Sequence, residues 1–304
     1  MAKSKRKKML SLNCTASMIL IITIGLMILL QSYQAGYMFL VHSVYHPNHL
    51  KKSSSLFFEA TNMTKPTILV GVFVAEFITP LETIEAFRTN FRLFASSDAF
   101  RCEIHHVFFV GVPEVDQEPT ERILGPDVLR GNFTENMNEG KTLEWLRAAS
   151  AWFRRRPGPP HPASMAFKMD ADAVVNWTRL DAAIAALRPG PSYFYGRVMA
   201  RAACGDFPHC PPANCSADFR GPCWVYMQGG FYGLSESAVH RLAACGHAAD
   251  TAHGIEDLMV GLWLKGCGTE VALVDVPHGD VFCHSSHTRP THIAAGEFPP
   301  CDKR

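Results

Sequence analysis

No aspartate or glutamate occurs before Glu59, and no formally charged residue of either sign lies between Lys8 and Lys51. A stretch without charge that is this long and this apolar is unlike a solvated tail. Its core, Ala16 to Leu30, is almost wholly apolar, and Leu12 to Tyr33 supplies the roughly 20 residues that cross a bilayer. A small-x-small cleavage site is also missing. Tyr33-Gln34-Ala35 puts a bulky ring where a small residue is wanted, which argues for an uncleaved anchor over a removed signal peptide. Lys3, Lys5, Arg6, Lys7 and Lys8 precede the apolar span, so the amino end is expected in the cytosol and the remainder in the lumen.

A concentrated basic face is lacking too. Beyond the five basic residues of the tail, 24 Lys and Arg face 28 Asp and Glu, a formal net charge of −4. That balance excludes a nucleic-acid partner. The triplet Arg154-Arg155-Arg156 is the local exception, and it reads as a cationic helix end before Pro157, offsetting the helix dipole. Paired Cys-x-x-Cys spacing and internal repeats are absent. Nine of the ten cysteines lie beyond the apolar span: Cys102, Cys204, Cys210, Cys215, Cys223, Cys245, Cys267, Cys283 and Cys301. In an oxidising compartment disulfides are the default, and an odd count leaves at least one thiol free or paired between chains. Zinc held by Cys204, Cys210, Cys215, Cys223 and His209 is the weaker alternative, because the spacing is irregular. Asn62, Asn132, Asn176 and Asn214 head N-glycosylation sequons, which suit a lumenal domain.

The chain therefore divides into a basic cytosolic tail (1–11), a transmembrane signal-anchor (12–33), a stem (34–65) and a lumenal domain (66–304), the last long enough for one sizeable core. Buried strands are predicted at Thr67–Val74, Ile104–Val110, Met165–Met169 and Val271–Val274, and helices at Leu81–Ala95, Lys141–Arg155 and Leu180–Leu187. Their alternation implies an α/β fold, a mostly parallel sheet with helices on both faces. After Gly190 the sequence reads as loop-rich, with two late helices at Ser235–Cys245 and Glu256–Lys265.

Three motifs carry chemistry. Asp170-Ala171-Asp172 follows an apolar strand, and carboxylates at the carboxyl end of a strand are placed to hold a hard divalent ion against a substrate diphosphate. Next, Gln228-Gly229-Gly230-Phe231 sets two glycines where a backbone can approach a ligand closely. Finally, Glu256-Asp257 opens a helix. The helix dipole alone would account for two acidic residues there. Trp224 and Tyr226 are either flat faces for a ligand or packing groups.

The ordered set resembles the inverting β1,3-glycosyltransferases of glycosyltransferase family 31, including kinetoplastid relatives that use UDP-galactose or UDP-N-acetylglucosamine. Matching pieces run from about Ile68 to His287. The stretch Ile84–Phe91, with Arg88, is similar to the family's early Arg-x-Thr-Trp element, with Phe91 in place of Trp. Val107–Gly111 is similar to its second strand, and Asp127-Val128-Leu129 with Lys141-Thr142 to its Asp-Ile-Leu and Lys-Thr block. The Asp170–Asp172, Gln228–Ser235 and Glu256–Gly261 pieces then match the metal, glycine-rich and acidic motifs in order. Two departures are Ala171, where many members carry a third acidic residue, and Asn138-Glu139-Gly140 in place of Asn-Leu-Thr.

The resemblance implies a GT-A type nucleotide-diphosphosugar transferase fold in a Golgi membrane protein, moving galactose or N-acetylglucosamine from a UDP-sugar to a glycan acceptor. It implies Mn²⁺ or Mg²⁺ bound by Asp172 directly and by Asp170 directly or through water, with Asp170 alternatively reaching the ribose. A third ligand is expected from the loop Phe282–His287, His284 first and His287 second. Lys141, Gly229 and Gly230 fall on the donor side. Asp257 would be the catalytic base, its pKa raised by burial and by Glu256, while Glu256 would orient the loop or contact a sugar. The rival readings are a lumenal glycan-binding domain without catalysis and a metal-dependent phosphohydrolase, which would want further clustered ligands.

The anchor reading has a direct check. The full-length protein should stay with membranes on alkaline extraction, and Asn62 or Asn132 should carry an endoglycosidase-sensitive glycan. A soluble secreted product lacking the residues before Gly36 would overturn it.

Overall fold

The structure is a computed structural model that describes residues 65–95, 97–113, 122–157, 159–200, 225–250, 252, 254–277 and 279–284. The expected anchor, the stem as far as residue 64, the Cys204–Cys223 cluster with His209, Trp224 and His287 lie outside the described residues. Among the described residues no helix is long and apolar enough to cross a membrane.

The strands are β1 (Thr67–Phe73), β2 (Glu103–Val112), β3 (Val128–Thr134), β4 (Met165–Asp170), β5 (Ala173–Val175), β6 (Tyr193–Ala200), β7 (Val225–Ser235), β8 (Ala272–Asp275) and β9 (Phe282–His284). The helices are α1 (Leu81–Ala95), α2 (Lys141–Arg155), α3 (Trp177–Ala185), α4 (Glu236–Ala243), α5 (Gly246–Asp250) and α6 (Glu256–Gly266). Seven strands form one sheet in the order β3-β2-β1-β4-β7-β6-β8, and β5 pairs with β9 in a small second sheet. All pairings in the large sheet are parallel except those of β7, which runs antiparallel to β4 and β6. The architecture is thus the expected α/β one, a mostly parallel mixed sheet.

Strand periodicity sorts the core into two layers. On β1, Ile68, Val70 and Val72 face a cluster containing Ile84, Phe87 and Phe91 of α1 and Trp177, Leu180 and Ile184 of α3. Leu69 and Phe73 face the opposite cluster, with Trp145 and Leu146 of α2, Val239 of α4 and Val260 and Trp263 of α6. α3 begins at Trp177, earlier than expected, because the Asn176 side chain accepts a hydrogen bond from the Arg179 N–H and caps it. α2 begins after Gly140, whose φ of 86° is a left-handed conformation suited to glycine. That requirement accounts for a glycine at this departure from the family block.

Two described segments after Gly190 depart from the loop-rich expectation. β6 and β7 are full strands of the large sheet, and a glycine of β7 serves close packing. A Cβ on Gly233 would lie 2.5 Å from the Phe167 ring on the neighbouring strand. β3 was not visible in the pattern. It is an edge strand, paired with β2, with Leu129, Arg130 and Asn132 exposed, so it carries little apolar alternation.

Disulfides are present, as the cysteine usage indicated. Cys245 and Cys267 are bridged across α5 and α6, Cys283 is disulfide-bonded, and Cys102 is a buried free thiol whose pKa burial pushes up.

Two pieces of the family resemblance meet in a bidentate pair. Arg88 of α1 donates to both Asp127 oxygens at 2.8 Å and to the Leu124 carbonyl at 2.6 Å. Burial alone would raise the Asp127 carboxyl, but the Arg88 guanidinium outweighs it and holds the pKa below the ordinary value. A depressed carboxyl pKa gives stability above the unfolded value, near 4, that is lost as pH falls through the folded value. Asp127→Asn is therefore expected to lower stability by about 1–3 kcal/mol at neutral pH. In thermal unfolding of the full-length chain, the gap between variant and wild type should close below about pH 4. A gap independent of pH would show that the pair's charge is not what stabilises.

Candidate active site

Asp170 ends β4, the middle strand of the large sheet, at the same end as Phe73 of the parallel neighbour β1. The antiparallel β7 runs through the same end, with Phe231 opposite Met169, so its Gln228–Gly230 stretch lies beside the carboxylates. The amino terminus of α6 brings Glu256 and Asp257 there as well, as its contacts with Lys168 and Gly229 establish. The three sequence motifs thus converge at one end of the sheet.

What joins them is Lys168, a residue not singled out in the sequence. It alternates with Phe167 and Met169 on β4, faces the α2 and α6 layer, and is 2 % exposed. Its ammonium lies 2.6 Å from the Gly229 carbonyl, 2.7 Å from Asp170 Oδ1 and 2.9 Å from Glu256 Oε2. An ammonium has three N–H donors, and here each has an acceptor from a different motif. Burial opposes the charged form, but Glu256 and Asp170 outweigh it and raise the Lys168 pKa above its ordinary value. A lysine within the apolar run Met165–Met169 is itself a signal, since a buried cation needs partners.

The adjacent acidic residues differ in environment. Glu256 is 7 % exposed and is taken up by Lys168 and by the Tyr232 hydroxyl, which donates to Oε1 at 2.6 Å. Burial raises its pKa, with Lys168 opposing. Direct contact with a sugar, one of its expected roles, does not fit this inward position. The orienting role does. Asp257 is only half-buried, and it accepts from the Leu258 N–H at 2.9 Å and from the Gly229 backbone. Its pKa is raised chiefly by burial, while those hydrogen bonds and Lys168 pull it down. Burial, rather than the neighbouring carboxylate, is the leading cause.

Lys141 also departs from expectation. It is 1 % exposed, ion-paired to Glu135 and hydrogen-bonded to the Val74 carbonyl at 3.0 Å, so it does not reach a nucleotide. Burial lowers its pKa, with Glu135 opposing. Glu135 in turn accepts from the Gly111 N–H at 2.5 Å, which ties α2 to the end of β2. Lys141 and Lys168 both lie within 5.5 Å of the Phe73 ring centroid, a cation–π arrangement at the core of the site. Gly229 contributes backbone atoms to Lys168 and Asp257, and Gly230 is buried. Tyr226 is 7 % exposed, which favours its packing role.

Asp170 and Asp172 are both partly exposed at the end of β4. The β5–β9 ladder sets the backbone of His284 opposite Ala173, the residue after Asp172. Two carboxylates are oxygen donors of the kind that fit Mn²⁺ or Mg²⁺ completed by phosphate oxygens and water. Among the described residues no group of three ligating side chains is already gathered, so the ion would depend on such outside oxygens.

The galactosyltransferase family model matches residues 88–275, a span that opens at Arg88 and contains all three motifs. No curated protein matches the chain.

Charge compensation at Lys168 is testable. Lys168→Met leaves Glu256 buried without its cation and should cost about 3–5 kcal/mol. Adding Glu256→Gln should recover part of that loss. Strictly additive costs in denaturant unfolding of the full-length chain would show that the two charges do not act together.

Proposed function

The chain belongs to the galactosyltransferase family of the GT31 type, and from that membership we propose an inverting enzyme that transfers galactose or N-acetylglucosamine from a UDP-sugar to a glycan hydroxyl in β1,3 linkage. The family makes it a glycosyltransferase with a nucleotide-sugar donor and a glycan acceptor. The charge-free apolar span of residues 12–33 supports a single-pass anchor in the Golgi membrane with the catalytic domain in the lumen.

One observation carries the mechanism. Asp257 stands half-buried with a raised pKa beside Gly229, at the sheet end that also holds Asp170 and Asp172. A carboxylate of raised basicity takes a proton from the acceptor hydroxyl as that oxygen bonds to the anomeric carbon. The bond from that carbon to the UDP oxygen breaks, and UDP leaves with the electron pair. Attack from the face opposite the leaving group turns an α-linked donor into a β-linked product. Asp172 and Asp170, with His284, would hold the divalent ion, which when bound supplies positive charge against the diphosphate. Glu256, locked to Lys168 and Tyr232, holds the first turn of α6 so that Asp257 keeps its position.

The test separates binding from chemistry in the full-length enzyme, with UDP-galactose and UDP-N-acetylglucosamine over an acceptor panel. Asp257→Asn should lower kcat by roughly 10²-fold or more with donor affinity little changed. Asp172→Asn should instead weaken UDP binding as well as transfer, as chelation should in the wild type, reversibly with Mn²⁺. Near-normal kcat in the Asp257 variant, or an α-linked product, would overturn the mechanism and leave the helix dipole as the account of that carboxylate.

A further inference from the structure

The triplet Arg154-Arg155-Arg156 ends α2 as its sequence suggested, but two of its members also line a cavity of about 420 Å³ with Lys65, Glu103, His105 and Trp152. Its wall includes Thr67, which pairs with Glu103 at the start of β1 and β2, whereas Asp170 pairs with Phe73 at the other end of β1. Six residues of strand separate the two ends by about 20 Å. None of the lining residues belongs to the transfer centre.

We propose that this cavity is a second saccharide site, for a glycan bearing a single carboxylate such as a uronic or sialic acid. The cavity is rich in hydrogen-bond donors. Among the described residues neither the Arg155 guanidinium nor the Trp152 indole N–H has a partner, and the Lys65 ammonium gives one hydrogen bond, to the Phe100 carbonyl at 3.0 Å. Arg156 is fixed beside them by Thr67, Ser164 and Glu236, its side chain 11 % exposed. A planar guanidinium matches a carboxylate in a bidentate fashion. The half-buried Trp152 ring, 5.0 Å from that of His105, offers the flat apolar face on which a pyranose packs. Burial lowers the His105 pKa, so that ring is neutral near pH 7, and Glu103 supplies an acceptor for sugar hydroxyls. The volume falls within the range of small-ligand sites.

The same residues disfavour two other anions. The helix end beside the cavity is the carboxyl end of α2, whose carbonyls, with Glu103, oppose a multiply charged diphosphate. A bilayer surface is poorly matched to a concave site with a carboxylate in its wall. A glycan held here does not touch the reacting hydroxyl, so the site alters affinity for acidic glycans and leaves turnover alone.

Titration of the full-length protein with a glucuronate-containing tetrasaccharide, followed by tryptophan fluorescence and calorimetry, tests this. Binding should weaken about tenfold on carboxyl reduction of the sugar and about tenfold in Arg155→Ala, one charge-assisted contact of about 1.4 kcal/mol. Trp152→Ala should remove most of it and Trp152→Phe should keep most. UDP release should be unchanged in Arg155→Ala, so failure here is distinct from failure of the transfer mechanism. The proposal is overturned by absent saccharide binding, by equal affinity for the acid and its reduced form, or by UDP or phosphatidylserine vesicles being the ligand that Arg155→Ala loses.

Discussion

A lysine buried in the middle of a sheet must have its charge compensated locally, because the interior stabilises an isolated ion far less than water does. Lys168 meets that requirement with one acceptor from its own strand, Asp170, and two from segments distant in sequence, Gly229 on β7 and Glu256 at the head of α6. The position of each is therefore conditional on the others. Asp170 and the helix that carries Asp257 are fixed relative to one another by a single cation. Loss of that cation would unsettle both at once.

Around this contact the charges form a layered set. Lys141 with Glu135 is a second buried pair, and both ammonium groups sit near the Phe73 ring at the end of β1. The pair ties α2 to β2 and β1 through Gly111 and Val74, so the ends of the parallel strands are held together beneath the carboxylates. Successive residues of a helix point about 100° apart. That rotation gives Glu256 the inward position against Lys168 and Tyr232 and leaves Asp257 facing outward, half-buried against Gly229. One residue becomes support and its neighbour becomes the candidate base.

The parallel strands also segregate function by end. Carboxylates gather where β4 and β1 finish, as ligand sites of open α/β sheets do. The basic, aromatic cavity lies where β1 and β2 start, against the carboxyl end of α2. Its arginines offset the helix dipole, and that structural duty does not exhaust their donors. The two ends have opposite charge character, carboxylates gathering at one and arginines at the other.

Much of this was legible in the sequence, for local reasons. The helices at Leu81–Ala95 and Lys141–Arg155 have the bounds that their apolar spacing indicated, and β1 and β4 follow from continuous apolar runs. The order of the Asp170, Gly229 and Glu256 motifs was enough to indicate the family, and the aspartates' place after an apolar strand indicated their end of the sheet. β3 was hidden because an exposed edge strand has little apolar pattern, and β7 because its glycines interrupt the apolar pattern, one of them to admit the Phe167 ring against Gly233. By itself the sequence determined which segments are strands and helices and which residues can carry the chemistry, since periodicity and residue type act over a few positions. Only the tertiary structure decided that Lys141 is enclosed, that Glu256 turns in while Asp257 faces out, and that Lys168 binds three motifs together. Those outcomes depend on contacts between residues some 60 to 90 positions apart, and no local pattern records which distant partner will satisfy a buried charge.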